Sequence, residues 1–183
     1  MANAVLVVDM LRGFLEAGHD GETHKLYCGD DSRQIIPNVR RLLEEERAHG
    51  SHIIFVVDTH DPDDKEFDIF PSHCIRGTVE TEVIPELREI PGEVLPKNRY
   101  SAFFNTPLEQ RLAELKPEKI IICGVCTDIC VMHTASDARN RDYIVEVPVD
   151  CVATFDPQAH QYALEHMKKI LGVRIVDSVA PST

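Results

Sequence analysis

Short apolar runs are the feature of this sequence that most constrains its fold. Four of them have strand length and are almost entirely apolar: AVLVV (4–8), HIIFVV (52–57), KIIIC (119–123) and YIVEV (143–147). Weaker strand candidates are EVL (93–95) and VRIV (173–176). Continuous apolar runs are typical of strands buried on both faces, as in a parallel sheet that lies between two layers of helices.

Helical patterns alternate with these runs. They cover 32–50, 107–116, 127–141 and 157–171, and a further short helix is predicted near 81–89. Ser32 is a candidate N-cap for the first helix, and Gly50 is its stop signal. The alternation predicts an α/β fold: a single doubly wound domain over 1–183, with a central, mostly parallel sheet of about six strands and helices on both faces.

Composition and charge exclude several classes of function. The chain has 183 residues, 43% hydrophobic and 27% charged, which is ordinary for a globular protein. Its formal charge of −12 argues against nucleic acid or an anionic membrane surface as a partner. The first apolar run meets Asp9 at once, so we expect a buried strand there and not a signal peptide. Six cysteines without a regular framework predict free thiols and a cytoplasmic location.

Polar residues follow the predicted strands at the points where the strands end. Asp9 follows the first strand, Asp58 the second and Lys97 the short third one, whereas Cys126 and Cys130 follow the fourth. In open α/β sheets, binding sites form beyond the carboxyl ends of the strands. We therefore expect an aspartate, a lysine and a cysteine to converge at one edge of the sheet.

Such a group can perform nucleophilic catalysis. A thiol is a strong nucleophile only as thiolate, and a nearby cation such as Lys97 or a helix N-terminus lowers its pKa. Asp9 could take the thiol proton and later return it to a leaving group. Each residue also has an ordinary structural explanation, since strand-end aspartates cap helices, lysines are solvated and cysteines pack in cores.

Three cysteines, Cys123, Cys126 and Cys130, crowd into the segment ICGVCTDIC. They could be metal ligands, packing residues, or one nucleophile with inert neighbours. An iron–sulfur site would require a fourth nearby ligand and would leave Asp9 and Lys97 unexplained. A dinucleotide site is disfavoured because the turn after the first strand, DMLRGF, contains one glycine.

A second constellation lies in DTHDPDDKEFDIFPSHCIRGT (58–78), which carries Asp58, His60, Glu66 and His73. An Asp-x-His pair at the end of a strand places both side chains on one side. Two imidazoles and a carboxylate suit Zn²⁺, Fe²⁺ or Mn²⁺ and leave positions open for water and substrate. The alternative is that both histidines are loop residues satisfied by hydrogen bonds.

The sequence resembles the isochorismatase-like cysteine hydrolases over nearly its whole length, and within them the nicotinamidase branch. The most specific pieces of the resemblance are FPSHCIRGT (70–78), KNRYSAFFNTPLEQRL (97–112) and GVCTDICVMHTASDA (124–138). Two departures bear on the substrate. DMLRGF (9–14) stands where many nicotinamidases have DxQNDF, and Thr59 stands where many have tryptophan.

The resemblance implies roles for individual residues. It implies a catalytic triad of Asp9, Lys97 and Cys130, with Cys123 in the core and the side chain of Cys126 incidental. It implies an oxyanion hole from the backbone N–H groups of Cys126 and Cys130, shaped by a non-proline cis peptide at Val125-Cys126. It implies one divalent metal, Zn²⁺ first with Fe²⁺ or Mn²⁺ as alternatives. The metal ligands it implies are Asp58, His60 and His73, with Glu66 as a further ligand or a partner through water.

The activity implied is that of a metal-containing cysteine amidohydrolase. The preferred reaction converts nicotinamide and water into nicotinate and ammonia through a thioester on Cys130, with Phe14 and Tyr100 as walls for a flat ring. The alternatives are another carboxamide or ureido substrate, such as an N-carbamoyl amine, maleamate or ureidoacrylate, or a non-catalytic metal-binding or interaction protein. The expected partners are a small-molecule amide and further copies of the chain, as a dimer or tetramer.

Overall fold

The structure, a computed structural model, describes residues 2–177. The strands in chain order are β1 (Ala4–Val8), β2 (Gly18–His19), β3 (Glu22–Thr23), β4 (His52–Asp58), β5 (Glu93–Lys97), β6 (Ile120–Val125), β7 (Val145–Pro148), β8 (Val152–Ala153) and β9 (Arg174–Val176). The α-helices are α1 (Arg12–Leu15), α2 (Ile36–Ala48), α3 (Leu108–Leu115), α4 (Met132–Asn140) and α5 (Pro157–Lys169).

The predicted sheet is confirmed. Its strands follow the order β5-β4-β1-β6-β7-β9, and every neighbouring pair is parallel. The short strand β8 also pairs with β6 in parallel, so the sheet has seven strands, against about six predicted. The strands β2 and β3 form a separate antiparallel pair in the connection after β1. The order puts β1 at the centre, where both of its neighbours protect it from water.

The alternation of side chains along the strands divides the core into two layers. Val5 and Val7 of β1 pack in one layer with α2, through residues such as Leu43. Leu6 and Val8 face the other side, where the layer includes buried residues of α3, α4 and α5. Successive residues of a strand point to opposite faces, so a strand that is apolar at every position requires helices on both faces.

One predicted element is wrong. The segment near 81–89 forms turns and not a helix, with hydrogen bonds from Leu87 N and Arg88 N to the carbonyl of Ile84. Pro85 lies within the segment, and Pro91 follows it. Proline lacks the backbone N–H and disfavours the helical conformation of the residue before it, so too few residues remain between the two for a stable helix.

The first predicted helix begins later than its pattern indicates. A 3₁₀-helix over Asp30–Ile35 precedes α2. Pro37 occupies the first turn of α2. Ser32 is not its cap, because the Ser32 hydroxyl donates to the carbonyl of Cys28 at 3.0 Å. Within residues 2–177, no helix has both the length and the apolar character that crossing a bilayer requires.

The end of β6 has an unusual backbone. Gly124 has a φ of 117°, and the peptide bond one residue further along, Val125-Cys126, is cis. A Cβ on Gly124 would lie 1.9 Å from the carbonyl oxygen of Val8 in β1. Only glycine fits this contact, since its missing side chain permits both the positive φ and the close approach of the two strands.

Candidate active site and metal site

The carboxyl ends of four adjacent strands bring the predicted polar residues together. Asp9 follows β1, Asp58 ends β4 and Lys97 ends β5, while the turn after β6 carries Cys126 and Cys130. These four strands are consecutive in the sheet order β5-β4-β1-β6. Parallel strands that end at one edge place their following residues side by side.

The side chain of Lys97 is completely buried and lies between two carboxylates. Its Nζ is 3.0 Å from Asp9 Oδ2 and 2.9 Å from Asp58 Oδ1. The same nitrogen is 3.5 Å from Cys130 Sγ. Burial would lower the pKa of Lys97, but Asp58 and Asp9 outweigh it and hold the pKa well above its usual value. The site therefore contains a fixed ammonium beside the thiol.

Asp9 has a left-handed backbone conformation, with a φ of 52°. This conformation turns the chain directly after β1, and Asp9 Oδ1 accepts a hydrogen bond from Asp58 N at 3.0 Å. Burial raises the pKa of Asp9 to about 6, although Lys97 opposes the change. A carboxyl group with a pKa close to neutrality can both accept and return a proton.

Cys130 lies in a single π-helical turn, Thr127–Val131, which connects β6 to α4. Ile129 N and Val131 N both donate to the carbonyl of Cys126 at the start of this turn. Burial raises the pKa of the Cys130 thiol well above its usual value, Lys97 opposes it, and Asp9 raises it further. The thiol is therefore neutral at rest and requires a base to become a nucleophile.

A second group of buried side chains, Asp58, His60, Glu66 and His73, lies beside the first. Each offers one ligand atom, and the four atoms lie within 4.8 Å of one another. Asp58 Oδ2 is 2.9 Å from His60 Nε2 and 3.3 Å from His73 Nε2. Glu66 Oε1 is 3.9 Å from His60 Nε2 and 3.7 Å from His73 Nε2. These residues could hold a metal ion at a single point.

The hydrogen bonds on the far side of each imidazole fit a metal site. His60 Nδ1 lies 3.0 Å from Asp64 Oδ2, and His73 Nδ1 lies 2.7 Å from the carbonyl oxygen of Pro71. Both partners are acceptors, so each Nδ1 carries a proton and each Nε2 faces the carboxylates of Asp58 and Glu66. Glu66 Oε2 is buried without a hydrogen-bond partner. A divalent cation would satisfy these groups together.

The contacts within this cluster shift the pKa values of both His60 and Asp58. Burial would lower the pKa of His60, but its contacts with Asp58 and Asp64 outweigh burial and raise the pKa to about 9. Burial would raise the pKa of Asp58, yet Lys97 and the two imidazoles hold it well below its usual value. The carboxylate of Asp58 thus belongs to both groups, with one oxygen on Lys97 and the other on the imidazoles.

One cavity opens onto both groups and encloses about 450 Å³, its open mouth included. Asp9 and Cys130 line it from one side, and Asp58, Glu66 and His73 from the other. Both predicted ring walls, Phe14 and Tyr100, line it as well. The remaining lining residues are Leu26, Cys28, Phe70, Val125, Cys126, Ile129 and Phe155.

The other two cysteines of the ICGVCTDIC segment lie in different environments. Cys123 is buried within β6, where burial raises its pKa to about 12. Cys126 is buried at the cavity wall, with its Sγ 3.5 Å from Cys28 Sγ. Neither thiol has a cationic neighbour like that of Cys130, so neither environment favours a thiolate.

The sequence matches the Isochorismatase domain family over residues 3–178. The chain belongs to this family. A similar solved structure is nicotinamidase/pyrazinamidase PncA from Bacillus subtilis, 33% identical with a TM-score of 0.85 over 97% of this chain and 100% of that one. N-carbamoylsarcosine amidase from Thermoplasma acidophilum is 31% identical, with a TM-score of 0.86 over 100% of both chains. Pyrazinamidase of Pyrococcus horikoshii in complex with zinc is 29% identical, with a TM-score of 0.87 over 97% and 99%.

As a member of the isochorismatase family, the chain has a candidate active site at one edge of its sheet, and the walls of that site come partly from its long connections. Leu26 and Cys28 lie in the connection after β1, and Phe70 lies in the connection after β4. None of the three is predicted as a pocket residue from the sequence. Asp64 is not predicted either, although its position four residues after His60 is a usable signal.

Proposed function

We propose that this protein is a metal-containing cysteine amidohydrolase that converts nicotinamide and water into nicotinate and ammonia. The observation that carries the proposal is the single cavity lined both by Cys130 and by the cluster of Asp58, Glu66 and His73. The thiol alone is sufficient to cleave an amide. A metal beside it therefore implies that the substrate carries a second group, which the metal binds. A rigid ring with a nitrogen meta to its carboxamide reaches both.

The proposed chemistry begins with transfer of the Cys130 thiol proton to Asp9. The thiolate attacks the carboxamide carbon, and the backbone N–H groups of Cys126 and Cys130 hold the oxyanion. Asp9 returns its proton to the departing nitrogen, so ammonia leaves and a thioester remains. Water then attacks the thioester with Asp9 as base, which releases the carboxylate and restores the thiol. Lys97 keeps its proton throughout and stabilises the thiolate.

The metal ligands in this proposal are Asp58, His60 and His73, and Glu66 joins them either directly or through water. Zn²⁺ is the preferred ion, with Fe²⁺ and Mn²⁺ as alternatives, and the zinc complex of the pyrazinamidase from Pyrococcus horikoshii supports this preference. A divalent metal in this position supplies a Lewis acid that binds and orients an aromatic ring nitrogen.

Charge supports a neutral substrate over an anionic one. The carboxyl groups on the cavity wall are Asp9, Asp58 and Glu66, and no lysine or arginine is among the described residues that line it. A substrate such as maleamate or ureidoacrylate carries a carboxylate, for which the described lining offers no lysine or arginine as a partner. The second candidate is hydrolysis of an N-carbamoyl amine, which the likeness to N-carbamoylsarcosine amidase favours.

The deciding experiment compares kcat/KM for nicotinamide, pyrazinamide, benzamide, maleamate and an N-carbamoyl amine under one set of conditions. We expect nicotinamide to be cleaved, and benzamide to be slower by roughly tenfold to a thousandfold because it lacks the ring nitrogen. Equal rates for nicotinamide and benzamide would refute anchoring by the metal. Cleavage of only maleamate or the carbamoyl compound would assign the chain to the rival chemistry.

The proposal also retains a homo-oligomeric state, a dimer or tetramer, and a cytoplasmic location. Light scattering on the purified protein tests the first, since a monomer would contradict it. Fractionation of cells that produce the protein tests the second.

A further inference from the structure

Asp64 has contacts that no role assigned so far explains. Its side chain is 4% exposed, although it belongs to a loop and carries a charge. Four polar contacts occupy its two oxygens: His60 Nδ1 at 3.0 Å, Glu66 N at 2.9 Å, and Arg99 Nη1 at 2.8 and 3.0 Å. Burying a carboxylate costs free energy unless hydrogen bonds and opposite charges replace its contacts with water. The four contacts of Asp64 supply this replacement.

The first contact fixes the proton on His60. Asp64 Oδ2 accepts from His60 Nδ1, and an ionised carboxylate can only accept. The Nδ1 proton is therefore held in place, and Nε2, which points towards Asp58 and Glu66, is the atom that would bind the metal. The ring cannot rotate without breaking this hydrogen bond, so one contact sets both the tautomer and the direction of the ligand atom.

The second contact fixes Glu66. Asp64 is the N-cap of the 3₁₀-helix Lys65–Asp68, and its Oδ1 accepts from Glu66 N. The cap holds the first turn of this helix and thereby the backbone from which the Glu66 carboxylate extends. Two ligands that lie six positions apart in the sequence are thus attached to one side chain.

The third contact balances the charge of Asp64 and connects the loop to the sheet. Arg99 is two residues beyond Lys97, at the end of β5. Its guanidinium contacts both oxygens of Asp64 through Nη1. The loop that carries His60 and Glu66 is therefore held to the same strand end that carries Lys97.

We propose that Asp64 is a positioning residue that sets the affinity of the metal site by orienting His60 and Glu66 together. The inference rests on the metal site of the proposed function, but it makes a claim about binding alone. Residues that orient metal ligands typically change metal affinity by roughly 10- to 100-fold when they are replaced. Asp64 acts on two ligands, so its replacement should have an effect within this range or above it.

The test is a competition titration of the metal-free protein with Zn²⁺ against a chromophoric chelator. In Asp64→Asn the amide oxygen can still cap the Glu66 N–H, but its nitrogen then faces His60 Nδ1 as donor against donor. We expect roughly 10- to 100-fold weaker binding for Asp64→Asn, and a larger loss for Asp64→Ala, which removes both contacts. Equal affinity for Asp64→Asn and the wild type would overturn the proposal.

Two matched controls separate positioning from charge and from stability. Asp61→Asn removes the same charge next to His60, but Asp61 is exposed and contacts Arg76, so Zn²⁺ affinity should change less than about twofold. Asp156→Ala removes a comparable N-cap, that of α5, and should lower Tm without changing Zn²⁺ affinity. A loss in Asp61→Asn equal to that in Asp64→Asn would overturn the proposal in favour of a general charge effect.

A spectroscopic signature distinguishes orientation from unfolding. In the zinc-loaded protein, the Nδ1–H of His60 should be protected from exchange with solvent in proton NMR spectra, and Asp64→Asn should remove this protection. The Nδ1–H of His73, which is donated to Pro71, should remain protected in both proteins. Loss of both signals would indicate collapse of the loop and would overturn the specific role.

The outcome is independent of amide hydrolysis. A wild-type protein that binds Zn²⁺ but does not cleave nicotinamide would refute the proposed function and leave the role of Asp64 intact. A wild-type protein without measurable Zn²⁺ affinity would overturn the role of Asp64 and the metal anchor together, while the Cys130 chemistry could still be tested on other amides.

Discussion

Lys97 Nζ lies 3.5 Å from Cys130 Sγ, although the two residues come from opposite sides of the central strand β1. The ammonium also contacts Asp9 and Asp58, so it is already balanced by two carboxylates. The thiolate that forms during the reaction would be a third anion beside one cation. Proton transfer from Cys130 to Asp9 avoids this excess, because it creates one negative charge as it removes another.

The thiols should therefore differ sharply in function. Cys130→Ala should abolish amide hydrolysis and leave the far-UV circular dichroism spectrum and Tm close to those of the wild type. Cys126→Ala should retain substantial activity, because only its backbone N–H has a proposed role. Mass spectrometry after treatment with iodoacetamide gives the decisive reading. Loss of activity that follows alkylation of Cys126, with Cys130 unmodified, would contradict the assignment.

The rate of Cys130 alkylation should depend on the ionisation of Asp9. Burial raises the pKa of Asp9 to about 6, and below this pH its carboxyl group is protonated and cannot accept the thiol proton. The rate should therefore fall by about tenfold per pH unit as the pH decreases below 6. Asp9→Asn should react slowly and show no break in its pH profile near 6, because its rate then follows the ionisation of the thiol alone. A wild-type rate that stays constant from pH 7 to pH 4 would contradict the role of Asp9.

Purified protein should contain about one equivalent of a divalent transition metal, as the convergence of four ligand atoms predicts. His73→Ala should weaken metal binding by roughly 100-fold or more, because it removes a ligand and not an orienting contact. His166→Ala is the control, since His166 lies on α5 and stacks on Tyr162. Elemental analysis measures the metal content. Full activity of a metal-free protein would exclude a required site.

Replacement of Gly124 should be far more damaging than replacement of another glycine with a positive φ. Gly124→Ala would force a Cβ into the backbone of Val8, and we expect a loss of about 3 kcal/mol or more in the free energy of unfolding. Gly50 has a φ of 80° with open space around it, so Gly50→Ala should cost about 1 kcal/mol. Urea denaturation compares the two. Similar losses would show that the contact with Val8 relaxes at little cost.

The fold could be predicted because its signals are local and strong. The run AVLVV coincides with β1 in full, and a strand of this kind has few alternatives to the centre of a parallel sheet. The same alternation predicts that Asp9 and Lys97 lie at one edge of the sheet. Boundaries were less accurate where helices begin irregularly, as in the π-helical turn that carries Cys130, since periodicity does not distinguish such a turn from an ordinary helix.

The cavity wall could not be predicted in this way. Leu26 and Phe155 have no periodic context, and they reach the cavity only because of how their loops fold back over the sheet. Phe14 and Tyr100 were named from resemblance, and no pattern in their own segments indicates a wall. At 81–89 the sequence predicts a helix where the structure has turns. The helical spacing of apolar residues there is outweighed by Pro85 and Pro91.

The arrangement of β5, β4, β1 and β6 separates the residues that carry the chemistry from the residues that contact the rest of a substrate. Asp9 and Asp58 are attached to β1 and β4, whose residues are almost all buried, and Lys97 ends the edge strand β5 beside them. The surfaces that meet the rest of a substrate belong to loops, whose lengths and side chains can vary without disturbing a strand. New specificities should therefore arise by substitution at positions such as Leu26 and Phe70, on chemistry that stays fixed.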